Sequence, residues 1–142
     1  MSQRIDWTTG IQVPGGPELA VMRSIQVEAY GLMTVEVPRD GAAETAVDIP
    51  PATEGKIQFL SITSDFYGER LVYKVNAATA EIPLDQPQIF AGAGAMALLD
   101  PPDGTDPSKL TFTLFPAPGD PPPGPEKASV RILVGWNAVS PP

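Results

Sequence analysis

The stretch IQVEAYGLMTVEV, Ile25 to Val37, alternates with a period of two. Ile25, Val27, Ala29, Met33, Val35 and Val37 fall on odd positions, while Ser24, Gln26, Glu28, Thr34 and Glu36 fall on even ones. Successive side chains of a strand point to opposite faces, so this pattern predicts an extended segment with one buried face and one wet face. The run exceeds a typical strand. Gly31 occupies an inward position and offers a bend or bulge. Tyr30 and Leu32, on either side of it, interrupt the polar face.

Downstream, the same reading repeats. TAVDIPP (Thr45–Pro51) is a short strand stopped by two prolines. KIQFLSITS (Lys56–Ser64) is apolar on both faces and predicts a central strand. RLVYKVN (Arg70–Asn76) turns Leu71, Tyr73 and Val75 inward, and with the preceding strand it reads as a β-hairpin. AEIPLDQPQIFAG (Ala80–Gly92) carries Pro83 and Pro87, which cannot donate to a ladder, so it reads as an edge strand or extended crossing. AMALL (Ala95–Leu99) reads as another short strand. LTFTLF places Leu110, Phe112 and Leu114 inward, and ASVRILVGW places Val130, Ile132, Val134 and Trp136 on one face. Between these two runs, PAPGDPPPGPE (Pro116–Glu126) reads as an exposed polyproline-like excursion.

Upstream, VPGGPELA (Val13–Ala20) is turn chemistry. Residues 1–20 read as an extended arm with one short strand at Ile11–Val13. PELAVMRSI (Pro17–Ile25) is the best helical candidate, at one or two turns, and no segment of ten residues carries a helical period. About eight strands with little or no helix predict one all-β domain, a jelly-roll-like or immunoglobulin-like β-sandwich spanning 1–142, with a Pro-ending tail at 137–142.

Composition narrows the chemistry. The 142 residues include eighteen Pro and thirteen Gly, about a fifth of the chain, placed between apolar runs. They punctuate a fold; they do not make a low-complexity chain. The net charge is −8, and the nine Lys and Arg are scattered. Nucleic-acid binding needs a basic stripe, and none is present. With no Cys and no His, thiolate and imidazole metal sites and His-dependent nucleophile systems are excluded. No run of 18 apolar residues and no signal-peptide pattern occurs in these residues, which gives cytoplasmic synthesis without membrane insertion as the expectation and leaves particle association open.

Three stretches invite a chemical reading. Gly92-x-Gly94-x-x-Ala97 fits the dinucleotide fingerprint, which needs a crossover helix after the glycines. Pro101 and Pro102 stop any helix there, so the stretch reads as a corner where backbone crosses closely or a neighbouring subunit packs, and no cofactor is expected. Asp100, Asp103 and Asp106 on one loop are a calcium candidate, although their spacing is not that of an EF-hand and the bidentate Glu is missing. Trp7, Tyr30, Phe66 and Tyr67 are the aromatics expected at the surface, with Asp65–Leu71 as the exposed aromatic tip. Together with Gly92 and Gly94 they are the interface or ligand candidates.

No catalytic residue is assigned. The expected function is a non-enzymatic structural or assembly subunit, a homo-oligomer or a component bound to a partner protein on a larger, virion-like particle. A glycan- or peptide-binding module is the alternative. A carboxylate-based hydrolase ranks below both, because any acid–base pair depends on a separation that sequence does not give.

Overall fold

The computed structural model describes residues 3–41, 43–49, 55–76, 79–96, 99, 108–119 and 124–138. Among them are ten strands and one helical turn. These are β1 (Gln3–Gln12), β2 (Glu18–Val27), β3 (Ala29–Pro38), β4 (Thr45–Asp48), β5 (Gly55–Ser64), β6 (Leu71–Val75), β7 (Ile82–Pro83), β8 (Gln88–Ala91), α1 (Ala93–Met96), β9 (Lys109–Leu114) and β10 (Lys127–Ala138).

Strands β3 to β10 build two four-stranded antiparallel sheets, ordered β3-β10-β5-β8 and β4-β9-β6-β7. The pairings β3/β10, β4/β9, β5/β8 and β6/β7 nest one inside the next. The chain is thus one long antiparallel ribbon with its hairpin at β6/β7. Rolling that ribbon adds β10/β5 and β9/β6 and closes it into two facing sheets. This is the winding of an eight-stranded jelly roll. It is not an immunoglobulin order, whose sheets divide the strands differently.

The alternation fixes which face is inside. Val130, Ile132 and Val134 of β10 lie beside Leu60 and Ile62 of β5 on the inner face of one sheet. Leu71, Tyr73 and Val75 of β6, with Leu110, Phe112 and Leu114 of β9, cover the inner face of the other. All are buried in one apolar core. The Tyr73 and Phe112 rings pack 5.7 Å apart. The Tyr73 hydroxyl reaches across to β8 and donates to Gln88 Oε1 at 2.6 Å, which joins the two sheets near their edges. β7, which contains Pro83, and β8, which follows Pro87, are edge strands, where a missing ladder donor is tolerated.

Four expectations are corrected. β5 and β6 do not form a hairpin, since they belong to opposite sheets. The intervening loop crosses between layers, held by Asp65, whose Oδ1 accepts from Ser129 N at 2.8 Å, and by Gly68 N donating to Leu84 O. The segment read as a strand at Ala95–Leu99 begins as the single turn α1 at Ala93–Met96, following Gly92 at φ 86°. The long run from Ile25 breaks at Glu28 rather than at Gly31, where Glu28 N donates to Trp136 O and to Asn137 Oδ1.

The fourth correction is the largest. Residues 3–27 form a complete hairpin, β1 with β2, registered from Gln3↔Val27 to Gln12↔Glu18. The segment read as helical is β2. Val13–Pro17 is the connecting turn, closed by Val13 N to Pro17 O at 3.1 Å and Gly16 N to Val13 O at 2.7 Å, with Gly15 at φ 75°. The short strand expected at Ile11–Val13 is the end of β1.

Candidate functional site

The β1-β2 hairpin is amphipathic by register. Ile5↔Ile25, Trp7↔Arg23, Thr9↔Val21 and Ile11↔Leu19 share one face. Arg4↔Gln26, Asp6↔Ser24, Thr8↔Met22 and Gln12↔Glu18 share the other. The base of the apolar face is seated on the jelly roll. It lies on the outer face of the β3-β10-β5-β8 sheet, on the side away from the core. There Trp7 packs on Phe59, with ring centroids 5.6 Å apart at 51°. Ile5 and Val27 close over Gly135, where an added Cβ would stand 2.6 Å from Ile5 Cδ1 and 3.0 Å from Val27 Cγ1. Gly135 is therefore a socket that a side chain fills only by displacing the end of the Ile5 side chain and crowding Val27. Phe59 and Val27 are buried here and take no part in the main core.

Beyond Trp7 the same face is uncovered. Ile11, Val13, Leu19 and Val21 are about half exposed, and Met22 on the opposite face is 80% exposed. Every residue from Thr8 to Ser24 is exposed. At a strand rise of about 3.4 Å per residue, β1 from Thr8 to Gln12 projects roughly 14 Å. An isolated two-stranded hairpin is marginal in water, and this one is held only at its base.

The outer sheet face carries a second apolar surface. The registers Leu32↔Leu133, Leu133↔Ser61 and Ser61↔Ile89 set these four residues in one row across all four strands. The next row is Tyr30, Gly135, Phe59 and Ala91, whose centre the hairpin covers. Tyr30 is 56% exposed, Leu32 54% and Ile89 49%. Tyr30 and Leu32 stand on the β3 edge and Ile89 on the β8 edge, with half-buried Leu133 and Ser61 between them, so the exposed apolar area lies at the two rims of a largely apolar face.

The candidate residues are therefore dispersed. Trp7 is half-buried in the arm's seat, and Tyr30 borders it. Phe66 and Tyr67 do not form an exposed tip. Both are half-buried against the core, with Tyr67 Oη accepting from Ser64 N at 2.9 Å and Phe66 N donating to Ser64 Oγ at 3.1 Å. Phe66 instead lines a cleft of about 550 Å³ with Gly68, Glu69, Arg70 and Phe115. Beside it, Arg70 Nη1 donates to Pro116 O at 3.0 Å and Arg39 Nη1 to Gly124 O at 2.9 Å, so two guanidinium groups hold the two ends of the proline excursion. Gly92 is required by its positive φ. A Cβ at Gly92 or Gly94 meets no atom of a described residue within 4 Å, so among the described residues no close chain crossing lies there. Asp100, Asp103 and Asp106 lie outside the described residues.

Every described Asp and Glu is exposed, and among the described residues no three metal-ligating side chains converge. Among the described residues three surface ion pairs occur: Arg4–Asp6, Lys74–Glu44 and Lys127–Glu36. Burial raises the Tyr73 phenol above its ordinary value of 10.0, in keeping with its place inside the core. No described helix is long and apolar enough to cross a membrane. The arm residues Ile11, Leu19 and Val21 were not singled out from sequence. Their signal was available as two alternating runs flanking Pro14-Gly15-Gly16-Pro17. No protein-family model, no curated protein and no solved structure matches the chain, so the reading of this surface rests on its geometry.

Proposed function

We propose that the protein is a non-enzymatic assembly subunit, a jelly roll that self-associates or decorates a larger particle. The observation that carries this reading is the hairpin. Its apolar face is buried where it meets the jelly roll and continues uncovered past it, as the face of an intersubunit arm does. Jelly rolls serve in shells and in lectins alike, so the fold does not choose between these roles.

Absolute mass by light scattering on a sizing column tests the proposal. A defined oligomer is expected at about 0.1 mM. A clean monomer at that concentration, with and without calcium, overturns self-association. The cleft at Phe66, Arg70 and Phe115 favours a second reading, as a peptide- or glycan-binding module. That reading predicts chemical-shift changes confined to the cleft when glycan or peptide libraries are added to the monomer.

A further inference from the structure

We infer that the uncovered half of the β1-β2 hairpin docks on the outer β3-β10-β5-β8 face of a second copy of this chain. The contact would bring Ile11, Leu19 and Val21 of one copy against the row Leu32, Leu133 and Ile89 of the next. This inference deepens the assembly reading and rests on it.

Two observations select this occupant. First, the arm already makes this kind of contact in cis. Ile5, Trp7 and Val27, from the same hairpin face, sit on Gly135 and Phe59 of the same sheet face. The Leu32–Leu133–Ser61–Ile89 row adjoins that seat directly, so a second arm laid there would continue an existing interface. Second, the two uncovered surfaces match in character. From Ile11 to Met22 the arm has one charge, Glu18, and the receiving row has none. Salt separates the two kinds of partner. A basic partner protein would be drawn by the net charge of −8 and released by salt. Copies of this chain repel one another by that charge, so added salt should strengthen the contact.

The absence of cysteine makes a clean test. A Leu19→Cys copy is mixed with a Leu32→Cys copy, and separately with an Ile89→Cys copy, under mild oxidation. Each variant is also oxidised alone. A disulfide-linked dimer several times more abundant in either mixture than in the single variants is the expected result. Leu19→Asp, which changes only the exposed end of the arm, should leave the melting temperature unchanged and weaken association about tenfold or more.

Oligomers by light scattering without a mixed cross-link overturn the arm-on-sheet contact and leave the assembly reading standing. A self-cross-link of Leu19→Cys alone, with none in the mixtures, shows arm pairing with arm and likewise overturns it. A monomer overturns both. Flotation of the wild-type chain with zwitterionic phosphatidylcholine vesicles, abolished by Leu19→Asp, would show that the arm serves a lipid surface instead and would overturn the inference. Association that weakens as salt rises also counts against it.

Discussion

The jelly roll and the hairpin that leads into it are written in the same sequence pattern and end in opposite states. In β10, Val130, Ile132 and Val134 alternate with wetter positions and are wholly buried. In β2, Leu19, Val21, Ile25 and Val27 alternate in the same way, broken once by Arg23, yet only Ile25 and Val27, at the base, are covered, while Leu19 and Val21 stay about half exposed. The difference lies in what each strand faces. β10 sits between two neighbours and beneath a second sheet, whereas β1 and β2 pair only with each other and rest on the body only at their base. Alternation therefore specifies an apolar face but not its partner. Where the fold supplies no partner, the face marks a surface that another molecule can cover.

One kind of substitution, placed in the two regions, tests that contrast most directly. Ile132→Asp puts an unpaired charge in the core and should cost more than about 4 kcal/mol, enough to abolish cooperative unfolding or soluble expression. A soluble variant with an unchanged melting temperature would contradict the assignment of β10 as the central core strand. Next in size is the socket between the regions. Gly135→Val drives side-chain atoms into Ile5 and Val27, which should lift the hairpin base at a cost of about 1–3 kcal/mol while the jelly roll survives. In a Trp136→Phe background, Trp7 emission should shift to the red as its ring leaves Phe59. Emission unchanged from the parent would mean that the seat tolerates the extra volume.

Tyr73→Phe has a smaller expected effect, about 1 kcal/mol, from losing the bond to Gln88. It also has a pH signature. The phenol is held protonated in the fold and ionises near its ordinary 10.0 once unfolded, so wild-type stability is full below pH 10 and falls as pH rises beyond it. Denaturant titrations across that range should show a shallower fall for Tyr73→Phe than for wild type. The smallest effect belongs to Leu19→Asp in the monomer, within about 0.5 kcal/mol, because the side chain already meets water. A drop comparable to that of Gly135→Val would mean that the arm's end is folded against the domain.

The jelly roll was legible where one face is polar and the other apolar. Leu110, Phe112 and Leu114 of β9, and the three inward residues of β10, were assigned correctly because burial on one side leaves a period-two trace. Tyr30 and Leu32 registered as a break in the polar face, and they prove to border and form the exposed outer patch. The hairpin was not legible, because Pro14 and Pro17 around two glycines read as punctuation rather than as a turn between two strands. The layer change between β5 and β6 left no local signal, since both strands are apolar and the connecting loop is short enough for a hairpin. Phe66 and Tyr67 were placed at a tip by their polar neighbours, whereas packing drew both rings toward the core.

Glu28 alone separates the arm from the body of the molecule, and its amide is tied to Trp136 and Asn137. A tug on the arm therefore enters β3 at Ala29, the first of ten residues paired with β10. Directed along β3, the load falls on all of those pairs at once and must shear them together. Directed across the sheet, it peels them one at a time. The arm is thus a handle whose mechanical strength depends on the direction in which a neighbour pulls it.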